Sequence, residues 1–539
     1  MKWEILNKLK INSEELIIKT LLKNRGLTTK KEIDDFINPK NPYSLRLKAL
    51  GIKETAIKKV LKRIKLAYKK KEKVVIFGDY DADGVCATAI LWEAMYKLGF
   101  DVMPYIPDRF TEGYGLKVDS LEKINAKNPN AKLIITVDNG IVAFDAINEA
   151  KKRGIDVIVV DHHTKGTKKL ATSYILHSTA VCGSALAWFL ARELFTVHGS
   201  SFTGLDLVAL GTIADQMPLL GINRSLVKYG LPELSKTKRI GLQKLFRDSK
   251  LDNVGVYEVG YIIAPRINAM GRLSSAIDSL RFLCTRDPKK AEDLNKLLND
   301  TNIERQKVVD DVLTQVLKQV RDTEKVMIIS GNYHEGVIGL ASGKVTEKYY
   351  KPSIVLSIGE SISKASARSI NGFNIIKAIK ETELILEGGG HPMAAGFSIY
   401  TEKIEEFRSK INEISRAKLT DEILERKLKI DLELNFELIN QKLVEEIEKF
   451  EPTGQGNYSP VFASKNVEVV ECKSVGQEGK HLKLKLRQNS VVLDAIWFNV
   501  PITYNLSPNT FLEIAYVIEE NQWNSKTTIQ LKIRDINNN

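Results

Sequence analysis

From Lys73 to Asp161 short apolar runs alternate with stretches of helical periodicity, and this alternation limits the fold more than any other feature of the chain. The runs 73-KVVIFGDY-80, 101-DVMPYIP-107, 132-KLIITVD-138 and 155-IDVIVVD-161 have strand length and are rich in Val and Ile. The intervals 84–100, 117–126 and 142–153 have helix length. Strands joined by crossover helices build a parallel sheet with helices on both faces. Such sheets bind ligands at the carboxyl ends of their strands, so chemistry is expected there.

Beyond this sheet, helices dominate 183–320, and the later part of the charged run 287–322 reads as a helix connecting two lobes. A second α/β segment spans 325–399, with glycine-rich turns. Residues 401–450 are helical apart from a return to strand in 423–434. After the turn-rich 451-EPTGQGNYSP-460, five short runs with period-two alternation (461–475, 481–488, 491–500, 512–520 and 528–536) suggest a small barrel. A five-stranded oligonucleotide-binding barrel is the leading candidate. The expected division is a basic helical segment 1–72 leading into a catalytic domain 73–286, a connecting helix 287–322, a second α/β domain 323–400, a helical connector 401–451 and a barrel 452–539. At roughly 150 residues per domain, 539 residues allow three or four domains.

Three of the parallel strands end in acids. The first carries Asp79, Asp81 and Asp83, the third Asp138, and the fourth Asp161 followed by His162 and His163. Asp215 ends an apolar helix just before Met217-Pro218. A lone aspartate at a strand end is ordinarily a helix cap or turn residue, but independent caps do not require a DxDxD pattern. Gathered carboxylates repel one another and persist together when cations neutralise them. Oxygen-rich ligation with one or two imidazoles suits Mn²⁺ or Mg²⁺, and more than four candidate ligands suggests two ions.

Basic residues exceed acidic ones by 13, and the whole excess lies in residues 1–75, which hold 21 basic and 8 acidic side chains. Much of it sits on 54–73, where Ile57, Val60, Leu61 and Ile64 form one apolar stripe and leave the lysines outward. Two readings stay open from sequence: a surface that attracts phosphate, or the solvated face of a lysine-rich helix. No apolar run approaches the roughly 18 residues of a membrane span, and no leader pattern is seen. Cys86, Cys182, Cys284 and Cys472 have no paired spacing, which excludes a disulfide scaffold or a cysteine zinc site. A cytoplasmic location is expected.

GDYDADG at 78–84, VDNG at 137–140, DHH at 161–163 and ADQMP at 214–218 resemble, in order and spacing, the motifs of the DHH phosphoesterase superfamily, and within it the RecJ-type single-strand-specific exonucleases. The resemblance extends through 265-PRINAMGRL-273, 334-HEGVIGLASGK-344, SARS at 366–369, 388-GGGHPMAAGF-397 and the C-terminal segment, and so covers essentially the whole chain. It implies a DHH catalytic domain, a DHHA1 substrate-binding domain joined by the long helix, and an OB-fold barrel.

The activity implied is 5′-to-3′ hydrolysis of single-stranded DNA to 5′-mononucleotides with two divalent ions, Mn²⁺ or Mg²⁺, in repair and recombination. The resemblance also allows a helicase and a single-strand-binding protein as partners. Carried over residue by residue, Asp79, Asp81, Asp83, Asp138, His162, His163 and Asp215 are metal candidates, with Asp138 bridging and Asp161 orienting a histidine. Arg109, Ser366 and Arg368 resemble 5′-phosphate ligands. Arg266, Asn268 and Arg272 would line the DNA path, and Gly388, Gly389, Gly390 and His391 would approach phosphate. The sequence departs from the superfamily at Phe77, where many members carry a metal-binding histidine, and has Gln216 where an aliphatic residue is usual. The barrel holds 9 basic and 8 acidic residues over 452–539, with Tyr504, Tyr516, Trp497 and Trp523 as candidate stacking residues and at least half of them expected in the core. Two alternatives are a phosphodiesterase of short oligonucleotides or cyclic dinucleotides, and an inactive DNA-binding relative. The third domain argues against the first, and the intact acid and histidine set against the second.

Overall fold

The Val/Ile-rich runs become adjacent strands because both of their faces are covered. In the computed structural model, which describes residues 1–9, 13–166, 168–476, 479–500, 506–523 and 526–537, Val74, Val75, Ile76 and Phe77 are fully buried. The chain divides into two units: 41–217 with 229–425, and 1–40 with 218–228 and 426–539.

The first unit opens with helix α1 (Glu54–Lys70), strand β1 (Lys73–Phe77), α2 (Ala82–Lys97), β2 (Val102–Tyr105), α3 (Val118–Lys127), β3 (Ala131–Val137), α4 (Phe144–Lys152), β4 (Asp156–Asp161) and β5 (Ile175–His177). These strands pair in parallel in the order β2-β1-β3-β4-β5. β5 has only three residues, too few for a periodic signal, and was not foreseen. Val75, Phe77, Ile134 and Val159 meet Leu121 and Ile147 on one face. On the other, the buried helix α2 packs against α5 (Gly183–Val197) and α6 (Leu205–Ala214).

Helices α7 (Ala264–Leu273) and α8 (Pro288–Gln319) follow. The 32 residues of α8 span about 48 Å. Its Val309, Val312 and Val316 pack on the second sheet, which contains β6 (Met327–Gly331), α9 (Ile338–Tyr349), β7 (Ser353–Ser357), β8 (Ile362–Arg368), β9 (Ile385–His391) and β10 (Ala394–Tyr400). The strand order is β9-β10-β8-β7-β6, with only β6 and β7 parallel.

In the other unit β11 (Phe462–Val475), β12 (His481–Gln488), β13 (Val491–Trp497), β14 (Phe511–Trp523) and β15 (Lys526–Asn537) form a barrel closed by pairing of β11 with β14. The sequence reading groups 1–72 together, whereas 1–40 belong with the barrel. Strand Lys2–Ile5 pairs with Lys427–Ile430, and Ile17, Leu21 and Phe36 share a core with Leu432, Phe436 and Phe462. The amphipathic pattern of this segment identifies its apolar face but not the surface that covers it. Arg224 is buried in this unit, and its guanidinium donates to the carbonyls of Phe36, Lys449, Phe450, Glu451 and Pro452. Among the described residues no helix is long and apolar enough to cross a membrane.

Candidate metal centre

The strand register decides where the acids emerge. Phe77 lies opposite Thr136, and Val137 opposite Val160, so β1, β3 and β4 run out at one level, at Asp79, Asp138 and Asp161. Asp138 takes the left-handed conformation (φ 63°) that most side chains avoid, and its N–H donates to Val160 O at 3.0 Å. Asn139 holds this turn by donating Nδ2–H to Val137 O and Phe77 O. On the first strand, Asp81 caps α2 by accepting from Gly84 N–H, while Asn268 Oδ1 accepts from Ala82 N–H at 2.8 Å. Asp83 accepts from the N–H groups of Gly183 and Ser184 at 2.7 and 3.0 Å, fixing the start of α5. Gly183 is needed there, since a Cβ would lie 2.5 Å from Asp138 Oδ1.

Donor atoms converge in three groups, each within 4.8 Å: Asp79, Asp81 and Asp138; Asp138, His162 and His163; Asp83, His162 and Asp215. Asp138 and His162 each belong to two groups. His162 Nε2 lies 3.0 Å from Asp138 Oδ1 and 3.7 Å from Asp215 Oδ2, yet both His162 Nε2 and Asp138 Oδ1 are buried without a hydrogen bond. Two buried polar atoms this close, neither satisfied, are what two ligands of one cation require, and an unpaired buried polar atom is otherwise expensive. The donor set therefore fits divalent ions.

Electrostatics point the same way. Burial, then repulsion from Asp81, raises the carboxyl pKa of Asp79; burial and Asp83 raise that of Asp81. Burial and the surrounding aspartates push Asp138 well above its ordinary value, and burial with Asp83 and Asp81 pushes Asp215 up to about 8. A cluster that resists ionisation this strongly takes up protons or cations. Asp161 behaves differently: burial opposes its charge, but bonds from His163 and from Ile141 N–H outweigh it and hold its pKa below normal. His162 is lowered to about 4, mainly by burial. Burial also works against the His163 cation, but the 2.8 Å bond from its Nδ1–H to Asp161 brings it up to about 9.

Beside the acids lies a group of guanidiniums. Arg109 sits 5.1 Å over the Tyr80 ring, Arg272 donates to Gly336 O at 2.9 Å, and Arg368 donates to Ala367 O and the Ser366 hydroxyl. Burial, with Arg109, Arg368 and Arg305 nearby, lowers Arg272 to about 10. Among the described residues none of Arg109, Arg272 and Arg368 forms a salt bridge, so together they leave an electropositive site that suits phosphate oxygens. Arg266 is bonded inside the protein, to Asn299 Oδ1 and Ile262 O, and Asn268 holds α2. Gly389 is in open space, and Gly390, paired with Ala395 within β9, has a positive φ (141°) and no room for a Cβ, which would strike Ala394 O. His391 stacks near His163, with ring centroids 6.5 Å apart.

Sequence reasoning passed over Tyr114, whose hydroxyl lies 3.3 Å from His163 Nε2, although it stands in the segment singled out for Arg109. It also missed His177, whose Nε2–H donates to His163 O, because β5 is too short to detect. In the barrel, Tyr516 is fully buried with its hydroxyl on Ser464, and Trp497 is buried, so neither is available to stack on a base. Tyr504 and the side chain of Trp523 lie outside the described residues. Tyr458, Phe498 and Phe511 are the exposed rings among the described residues of that unit, while Lys485 and Arg487 on β12 are paired with Glu471 and Glu468.

Comparison with known proteins matches residues 73–212 to the DHH family N-terminal domain, 312–417 to the DHHA1 domain and 430–535 to the RecJ OB domain. The chain is 34% identical to the single-stranded-DNA-specific exonuclease RecJ of Bacillus subtilis over 99% of its own length and 70% of that protein. It is 30% identical to the RecJ of Haemophilus influenzae over 97% of its length and 96% of that protein. Among solved structures it is similar to RecJ of Thermus thermophilus in complex with Mn²⁺, with a TM-score of 0.84, 26% identity, and coverage of 99% of this chain and 79% of that one.

Proposed function

Since the chain belongs to the RecJ family of DHH phosphoesterases, we propose that it is a metal-dependent exonuclease of single-stranded DNA that removes 5′-mononucleotides from the 5′ end. The observation that carries this reading is the pair Asp138 Oδ1 and His162 Nε2, buried 3.0 Å apart without a hydrogen bond. We assign Asp79, Asp81, Asp138, His162 and Asp215 to two divalent ions, Mn²⁺ or Mg²⁺, with Asp138 shared between them. That sharing is supported by its place in two of the three donor groups. When bound, such ions neutralise phosphoryl oxygens and lower the pKa of water.

The chain's own groups do the rest. Asp83 spends both carboxylate oxygens on the first turn of α5 and so fixes the wall beside Asp138. Asp161 fixes His163 Nδ1, and His163 Nε2 then carries a proton it can direct at a phosphoryl oxygen. Arg109, Ser366 and Arg368 receive the 5′-phosphate, with Arg272 adding charge behind them. Arg266 and Asn268 act as positioning residues. Gly389, Gly390 and His391 border the strand.

We take 73–286 as the catalytic domain, 287–322 as the connecting helix, 323–400 as the substrate-handling domain and 452–539 as the barrel that holds the strand behind. A cytoplasmic site of action in repair and recombination, beside a helicase and a single-strand-binding protein, is part of the same proposal. The test uses a long 5′-phosphorylated single strand: mononucleotides should appear with Mn²⁺ or Mg²⁺ and not with chelator. Cleavage of dinucleotides while the long strand is ignored would overturn the assignment in favour of a small-substrate phosphodiesterase.

A further inference from the structure

The charge of the chain is concentrated where the proposed chemistry does not use it. Residues 41–75 hold 12 basic and 2 acidic side chains, while everything after residue 75 is neutral in sum. Within this stretch α1 buries Ile57, Val60, Ile64 and Ala67. Its one inward cation, Arg63, has Asp156, Glu72 and Lys132 O as partners. The outward cations are treated differently. Lys58, Lys62, Lys65 and Lys69 follow one another at i, i+4, i+7 and i+11, which puts them on one exposed stripe about 16 Å long. Lys59 and Lys70 flank it. Among the described residues only Lys58 of these has a carboxylate partner, Glu54 at 2.7 Å, and both of those side chains are well exposed.

A row of like charges three and four residues apart destabilises an isolated helix, so this face carries a self-repulsion that a polyanion would relieve. Some surface lysines elsewhere in this unit do pair with carboxylates, as Lys152 does with Glu149, Lys344 with Asp310 and Lys351 with Asp322. The rings available narrow the kind of polyanion. Single strands are held by charge together with aromatic faces on which bases stack. On this helix Tyr68 is the only aromatic residue; its ring is exposed on one side and packed on the other against Phe100 and His198, with centroids 5.0 and 5.8 Å apart. A rigid lysine stripe with a single ring, itself leaning on two neighbours, offers no row of stacking faces and fits a backbone whose bases are already sequestered.

We propose that the outer face of α1 is a docking surface for the phosphate backbone of duplex DNA, holding the double-stranded part of a substrate whose single-stranded end is degraded elsewhere on the protein. The surface shares no residue with the acid cluster or the arginine group. Its test is a binding measurement on the full chain without metal, so it stands or falls separately from the nuclease assignment. The probe is a fluorescent blunt duplex of about 20 base pairs, titrated at 50–200 mM salt, against the variant Lys58→Gln/Lys62→Gln/Lys65→Gln/Lys69→Gln. Each lost phosphate contact should flatten the log-affinity against log-salt slope by about 0.9. Four contacts thus make the wild-type affinity fall about 100-fold more than that of the variant across that range, while binding of a poly-dT single strand is unchanged. The corresponding Lys→Arg variant should keep the wild-type slope. The proposal is overturned if the wild type does not bind the duplex, if the glutamine variant keeps the full slope, if single-strand binding falls equally, or if anionic phosphatidylserine vesicles bind this face and the duplex does not.

Discussion

Replacing Gly183 by alanine tests whether the wall beside Asp138 sets the geometry of the centre. An alanine Cβ would lie 2.5 Å from Asp138 Oδ1 and Cβ and 2.6 Å from Cγ. Ordinary contacts of carbon atoms are about 3.5–4 Å, so α5 or the Asp138 turn must give by about 1 Å. Neither can do so freely. The first N–H groups of α5 are held to Asp83, and Asp138 is pinned in a left-handed turn through Val160 O. Overpacking of this kind costs about 1–3 kcal/mol, offset by up to about 1 kcal/mol from the better helix propensity of alanine. The fold should therefore survive with a modest loss. A displacement of about 1 Å at a reacting centre typically lowers rate by about 100-fold. Mononucleotide release should fall by that order, and Mn²⁺ affinity measured by calorimetry should fall with it, while the far-ultraviolet dichroism spectrum stays unchanged. Turnover within about threefold of the parent, with unaltered Mn²⁺ binding, would refute the argument that this contact positions Asp138.

Further predictions follow from individual side chains. Arg368→Ala should weaken degradation of 5′-phosphorylated strands about tenfold or more and leave strands lacking the phosphate little changed; equal losses on both would remove Arg368 from end recognition. Arg224→Met leaves the carbonyls of Phe36, Lys449 and Glu451 without this donor, while those of Phe450 and Pro452 keep the Asn457 amide, and should destabilise the barrel-containing unit by about 3 kcal/mol, read as a lower denaturant midpoint. Stability of the metal-free protein should fall as pH rises from 6.5 to 8.5. The Asp215 carboxyl, at about 8, and the His163 imidazolium, at about 9, both hold protons in the folded state that the unfolded chain has released, so both linkages have the same sign in that window. Mn²⁺ should accordingly raise the melting temperature more at pH 8 than at pH 6.5, and a metal-free melting temperature that rises over this range would contradict the reading.

What the sequence disclosed follows from how locally each feature is encoded. Asp79, Asp138 and Asp161 are legible because each ends an apolar run, and parallel pairing brings the ends of such runs to one edge. The closed barrel is legible from period-two alternation, as on β12, where Leu482, Leu484 and Leu486 are buried and Lys483, Lys485 and Arg487 exposed. Features that rest on distant partners are not. Asn268 reaches Ala82 across 186 positions, and the packing of residues 1–40 with the barrel depends on a surface more than 380 residues away. Alternation also cannot tell which aromatic residues of a small barrel face inward, so Tyr516 and Trp497 could be named as stacking candidates although both are core.

The central claim is that side chains from separate strands and helices meet to hold two divalent ions across Asp138. A crystal grown with Mn²⁺ and measured at the manganese absorption edge addresses it directly. Two anomalous peaks about 3.5–4 Å apart, both within bonding distance of Asp138 and one of them beside His162 Nε2, are expected. A single peak, or peaks that leave Asp138 uncoordinated, would contradict the account.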